Sequence, residues 1–178
     1  MKSICFTLSF LLLIFGCPLK AETKLPLPSL SGETLDGKDF QMPKDFKGPF
    51  ISLVMGFTKS SQIAINRCAE LIEKDFPGLS YSMAEIQGAP FFVKGMIKNK
   101  IRSSVPESRR SKYLVLSEGK DQLKKLSNFD DKFEDDAYIL LLGENTNHEL
   151  EVIDQLRTQC SAESYPALKT KVQGIVKK

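Results

Sequence analysis

Residues Phe50 to Phe57 form a nearly unbroken apolar run, Phe-Ile-Ser-Leu-Val-Met-Gly-Phe, that passes through four polar residues into a helical pattern. A run of this length without polar alternation reads as a strand buried on both faces of a sheet. In the pattern that follows, Ile65, Cys68 and Ile72 share a face with Ala64 and Leu71, and Pro77-Gly78 stops it after about Phe76. A doubly buried strand leading straight into an amphipathic helix confines the chain to an α/β architecture, with helices packed on a largely parallel sheet. The joining turn is Thr58-Lys59-Ser60-Ser61 and carries no thiol. Thr58 or Ser60 can cap the helix. A helix N-terminus is also a natural site for an anion or a carbonyl, although capping alone accounts for the hydroxyls.

Around this unit the chain predicts a regular alternation. Thr23 to Pro43 is rich in Pro and Gly and reads as an extended arm and a small hairpin, with turns near Gly32 and Gly37. Leu79 to Ile86 is a second strand, with Tyr81, Met83 and Glu85 on one face. Phe91 to Ile101 is a helix with Phe92, Met96 and Ile97 inward, and Ser103 to Ser111 is a polar loop. Tyr113 to Ser117 is a strand and Lys120 to Ser127 a short helix. Ala137 to Leu142 and Glu149 to Ile153 form a hairpin about Gly143 to Asn147. Ser161 caps a last helix through about Val176, with Leu168, Val172 and Ile175 inward. Pro166 belongs in its first turn, which moves the start toward Glu163.

The N-terminus bounds the compartment. Met1-Lys2 precedes an apolar run from Ile4 to Phe15 broken only by Thr7 and Ser9, which is short for a membrane span and fits a signal-peptide core. Two processing routes are open. Cleavage after Ala21 would make residues 1–21 a signal peptide and residues 22–178 the domain. Alternatively, Ile14-Phe15-Gly16-Cys17 is a lipobox ending at Gly16, with Cys17 lipidated. Both predict an exported chain, periplasmic or anchored as a lipoprotein. The mature part, about 157 residues, is long enough for one domain with a full core. Without Lys2 and Lys20, the 25 basic residues become 23 against 22 acidic ones. That balance gives no reason to expect nucleic acid as a partner.

Several segments resemble the thioredoxin-like superfamily, on the redoxin and peroxiredoxin side. Leu30-Ser-Gly-Glu-Thr-Leu-Asp-Gly-Lys-Asp-Phe40 followed by Phe46-Lys-Gly-Pro-Phe-Ile-Ser-Leu-Val54 is similar to the opening of those proteins. Phe57-Thr58-x-x-Ser61 resembles the peroxiredoxin Thr-x-x-Cys turn, with Ser61 where the cysteine would stand. Tyr113-Leu-Val-Leu-Ser-Glu-Gly and Tyr138-Ile-Leu-Leu-Leu-Gly-Glu-Asn look like their later strands. A looser similarity is to the thioredoxin-like assembly factors of mitochondrial ATP synthase, which lack a consistent redox pair. The resemblance implies a three-layer sandwich: a central mixed sheet, a terminal β-hairpin and a closing C-terminal helix. It also exposes two departures. Ser61 replaces the nucleophile, and Asp135-Asp136-Ala137 replaces the cis-proline that thioredoxins place opposite it. A hydroxyl has a far higher pKa than a thiol, so the turn loses its redox chemistry.

Four cysteines occur: Cys5, Cys17, Cys68 and Cys160. Export leaves Cys68 and Cys160 in an oxidising compartment, with no Cys-x-x-Cys anywhere. In the thioredoxin-like plan the helices carrying or following these residues pack on one side of the sheet, which makes Cys68–Cys160 a candidate structural disulfide. The competing reading is a divergent thiol oxidoreductase or peroxiredoxin-like enzyme using Cys68 or Cys160. His148, the only histidine, sits in a turn and has no second histidine with which to hold zinc, so neither metal nor cofactor is expected. Lys94, Lys98, Lys100, Arg102, Arg109, Arg110 and Lys112 stand against Glu107 alone. Five acids and one lysine fill Asp130 to Asp136. The two runs can be solvated surfaces facing each other, or the basic one can meet a partner or an anionic lipid surface. The functional expectation is a non-catalytic binding or assembly factor of the cell envelope, with a protein partner and a possible lipid anchor through Cys17.

Overall fold

The two faces of one sheet divide the core. In a computed structural model describing residues 26–177, strand β3 (Phe50–Gly56) is buried along its whole length. Phe50 and Val54 join one apolar cluster, and Ile51, Leu53 and Met55 join the other. The double burial expected from the unbroken apolar run is therefore realised, with alternate side chains serving opposite layers. Cys17 and Ala21, and with them the processing sites, lie outside the described residues.

The elements follow the predicted order. Strands β1 (Leu30–Thr34) and β2 (Asp39–Met42) precede β3, and helix α1 (Gln62–Asp75) follows it. Then come β4 (Ser80–Glu85), α2 (Phe91–Ser104), β5 (Tyr113–Leu116), α3 (Lys120–Leu126), β6 (Ala137–Glu144), β7 (Leu150–Thr158) and α4 (Tyr165–Val176). The sheet runs β2-β1-β5-β4-β3-β6-β7. Strands β5, β4 and β3 are parallel, while β6 and β7 return antiparallel as the terminal hairpin. Ile101, Cys68, Ile72, Leu168 and Val172 place α1, α2 and α4 on one face. Leu123 and Leu126 of α3 cover the other, with Leu27, Phe40 and Phe46 of the N-terminal segment.

Three local expectations are corrected. Gly32 is not a turn. It lies inside β1 opposite both Phe40 and Leu116, and a Cβ there would stand 2.3 Å from Leu116 Cδ2. The hairpin turns only at Gly37, whose φ of +88° favours glycine. The polar loop after α2 is largely helical: α2 runs on to Ser104, and Glu107–Lys112 forms a 3-10 turn. Finally, Phe92 and Met96 do not face inward; they are 80% and 71% exposed. The buried side of α2 follows Ile97 and Ile101 at i, i+4 spacing, about 100° round the helix from the Phe92–Met96 stripe.

Candidate functional site

The turn after β3 is closed by its own hydroxyls. Ser61 is fully buried, and its Oγ donates to the Thr58 carbonyl at 2.8 Å. The Ser61 backbone N–H donates to Thr58 Oγ1 at 3.2 Å, and Thr58 Oγ1 donates to the Glu134 carbonyl at 3.0 Å. The N-cap of α1 is Ser61, not Thr58 or Ser60 as expected. Its side chain makes no cap hydrogen bond, and Thr58 instead closes the turn and ties it to the segment ahead of β6. Lys59 and Ser60 remain exposed. No thiolate can form in this network, and the Ser61 hydroxyl and N–H are both satisfied within the turn.

Cys68 and Cys160 form a disulfide, with Cα atoms 5.2 Å apart and a sequence separation of 92. The two residues are 0% and 1% exposed. Cys68 lies seven residues beyond Ser61, about 10 Å along the helix axis. The bridge therefore stands away from the turn. It lies where the end of β7 and the start of α4 meet α1. Nearby, Tyr165 donates to the Leu71 carbonyl at 2.7 Å and to Asp75 at 2.8 Å, and Lys169 pairs with Asp75 at 2.9 Å.

The basic segment divides into two groups. Arg109 is half-buried and donates to the Asn66 carbonyl and to Ser82 Oγ, at 3.3 and 3.1 Å. Arg110 donates to the Val105 carbonyl and Lys112 to the Gly78 carbonyl, while Lys98 is paired with Glu33. These four hold the fold together. Lys94, Lys100 and Arg102 make no ion pair among the described residues and face outward from α2. The acidic run makes no ion pair with them, although its Glu134–Asp135 part reaches Thr58. Asp130 and Asp136 pair with Arg157, and Asp131 with Lys124. His148 is an exposed turn residue 3.4 Å from Glu144.

What sequence reasoning missed is a cleft of about 580 Å³ over the C-terminal ends of β3 and β4, walled by α1 and α2. Ala84, Ile86, Ile97 and Ile101 line its interior, and Thr58, Lys59, Gln62 and Lys100 its mouth. At one end the Glu85 side chain is only 2% exposed. It pairs with Lys120 at 3.5 Å and accepts the Gln87 backbone N–H. The one available signal was Glu85, the single charged residue of its strand, at the strand's C-terminal end. The wall between the helices is a hydrogen-bond chain: Tyr113 Oη to Gln62 Oε1 at 2.9 Å, Gln62 Nε2 to Asn66 Oδ1 at 2.9 Å, and Asn66 Nδ2 to the Ser104 carbonyl at 3.3 Å.

Tyr113 is fully buried, and that burial raises its phenol pKa above the ordinary value of 10.0. Below about pH 10 the phenol is neutral whether the chain is folded or not. Above it, an unfolded Tyr113 releases its proton while the native one keeps it, so stability falls as pH rises. Urea midpoints should therefore drop from about pH 10 upward, and Tyr113→Phe should flatten that fall. An equally steep fall in the variant would refute the assignment.

No protein-family model and no curated protein matches the chain. Solved structures do resemble it. A SCO1/SenC family lipoprotein from Bacillus anthracis is 15% identical, over 87% of this chain and 98% of that one, with a TM-score of 0.52. BsSco, a member of the Sco family of cytochrome c oxidase assembly proteins, is 10% identical over 86% and 95%, with a TM-score of 0.56. A DsbE-type thiol:disulfide interchange protein from Chlorobium tepidum is 14% identical over 85% and 95%, with a TM-score of 0.53. At these identities the likeness is one of fold.

Proposed function

We propose that this chain, thioredoxin-like in fold, is a non-catalytic binding or assembly protein exported to the cell envelope. The observation that carries this reading is Ser61, buried and hydrogen-bonded at the position where a redox-active member of the fold would present its thiol. The alternative, a thiol enzyme working through Cys68 or Cys160, is disfavoured because each sulfur is bonded to the other and neither residue is more than 1% exposed. Thiol–disulfide exchange needs an accessible sulfur for the attacking thiolate. An assembly role and an envelope location are both in keeping with the lipoprotein and the assembly protein among the structural neighbours. The N-terminal signal pattern supports export independently, by cleavage after Ala21 or lipidation of Cys17.

The test is made on protein purified from its native host. Intact mass should show either loss of the leader or a diacylglycerol adduct on Cys17, together with an oxidised Cys68–Cys160 pair. Insulin-disulfide reduction and hydrogen peroxide consumption should not exceed a boiled control. Turnover that disappears in Cys68→Ser would establish the thiol-enzyme reading instead, and an unprocessed chain would remove the envelope location.

A further inference from the structure

Resting on the binding-protein reading, we propose that the α1–α2 cleft and the exposed face of α2 together dock an acidic segment of a partner protein, anchored by apolar side chains. The cleft interior is apolar, and the apolar surface does not stop at its mouth. Phe92 and Met96 precede Lys100 and Ser103 on one stripe of α2, at successive i, i+4 and i+3 spacings. Lys100 and Ser103 line the cleft, so the stripe runs from its rim outward, with Phe92 80% and Met96 71% exposed. On the opposite wall Ile63, 70% exposed, stands next to Gln62 at the mouth. Aromatic and methionine side chains left in water beside a preformed apolar cleft are the composition of a protein-binding surface. The 14 residues of α2 extend about 20 Å. That length matches a peptide of several residues better than a small metabolite.

Charge chooses the occupant. Helix α2 contains no acidic residue, and Lys94, Lys100 and Arg102 are without ion pairs among the described residues. Lys59 adds a further cation without an ion pair at the mouth. Of the carboxylates there, Glu85 is engaged by Lys120 and Asp135 accepts from Thr58 Oγ1 at 3.3 Å, so Lys59, Lys94, Lys100 and Arg102 outnumber them. The rim is therefore positive, which draws an acidic segment and repels a basic one. The acidic run of a second copy fits less well. Its Asp130, Asp131 and Asp136 are paired within the chain, Asp135 accepts from Thr58 Oγ1 of the same chain, and Phe133 lies against Arg157 at 3.3 Å.

The experiment uses a phage-displayed dodecapeptide library selected on the mature, oxidised chain. Enriched peptides should carry net negative charge and at least two large apolar residues. By fluorescence anisotropy, a labelled enriched peptide should bind about tenfold more weakly or worse to a Phe92→Ser/Met96→Ser variant and to Lys100→Glu. Added salt should weaken it too. Lys125→Glu, exposed on α3 across the sheet, should leave binding unchanged. The substituted side chains are exposed, and an unchanged melting temperature certifies that the variants are folded. Failure to enrich, enrichment of basic peptides, or affinity indifferent to Phe92, Met96 and Lys100 would overturn the proposal. Two rival occupants would overturn it as well. One is binding to phosphatidylglycerol vesicles that the same variants abolish while no peptide enriches. The other is concentration-dependent self-association that they abolish. Insulin reduction is scored separately, so a redox activity would defeat the binding-protein reading without being mistaken for failure of this surface.

Discussion

Loss of the Cys68–Cys160 bridge is expected to lower the melting temperature on the order of 10 °C. The bridge closes a loop across 92 residues, and constraining an unfolded chain over that separation gives about 4 to 5 kcal/mol in the chain-entropy account. That figure is an upper one, because residual structure in the unfolded chain subtracts from it. For a domain of this size each kcal/mol corresponds to about 2 to 4 °C. The place of the bridge sharpens the expectation. Cys160 lies between β7 and α4, so reduction leaves α4 held to α1 only by the apolar packing of Leu168 and Val172 and by the Tyr165–Asp75–Lys169 contacts. Cys68→Ala/Cys160→Ala and the reduced native protein should melt alike, both below the oxidised form, as followed by circular dichroism. Hydrogen exchange should rise first in α4. If the bridge instead turns over electrons, the thiols of the reduced but folded protein will react with iodoacetamide as fast as free cysteine. Two thiols buried at 0% and 1% exposure should not.

The strands were legible because burial leaves a plain pattern. The unbroken run Phe50 to Phe57 and the run Ala137 to Leu142 pointed to β3 and β6, and Pro77-Gly78 marked the end of α1. Residues around Ser61 were legible for a different reason: a missing thiol is visible in any register. Helix α2 was not legible in phase. Phe91, Phe92, Val93, Met96 and Ile97 offer two apolar stripes, and periodicity alone selects neither. Only packing against Ile86 and Ala89 puts Ile97 inward and leaves Phe92 and Met96 in solvent. The cleft escaped notice for the same reason, since it lies between two helices whose relative phase the sequence does not specify. Arg109 was likewise read as surface charge. Its aliphatic stem and guanidinium are half-buried between α1 and β4, a placement that depends on the 3-10 turn after α2.

Gly56→Ala is expected to destabilise the protein by about 2 to 3 kcal/mol, the cost of overpacking where neither partner can retreat. A Cβ on residue 56 would stand 2.1 Å from Ser61 Oγ, 2.8 Å from Ser61 Cβ and 2.8 Å from Ile65 Cδ1. Ile65 can swing its terminal methyl away, but Ser61 cannot. Its Oγ is held by the Thr58 carbonyl and its N–H by Thr58 Oγ1, which is itself tied to Glu134. Relief therefore requires α1 to lift from β3 at its first turn, breaking those bonds and opening the cleft mouth at Thr58 and Gln62. Introducing Ser61→Gly removes both close atoms, so the cost of Gly56→Ala should fall by about 1 kcal/mol or more in that background. Urea denaturation of the two single variants and the double variant measures the coupling. Additive losses would show that α1 does not press on Gly56. A positive coupling would establish that the close approach of strand and helix, with a hydroxyl wedged between them, is what holds this turn shut.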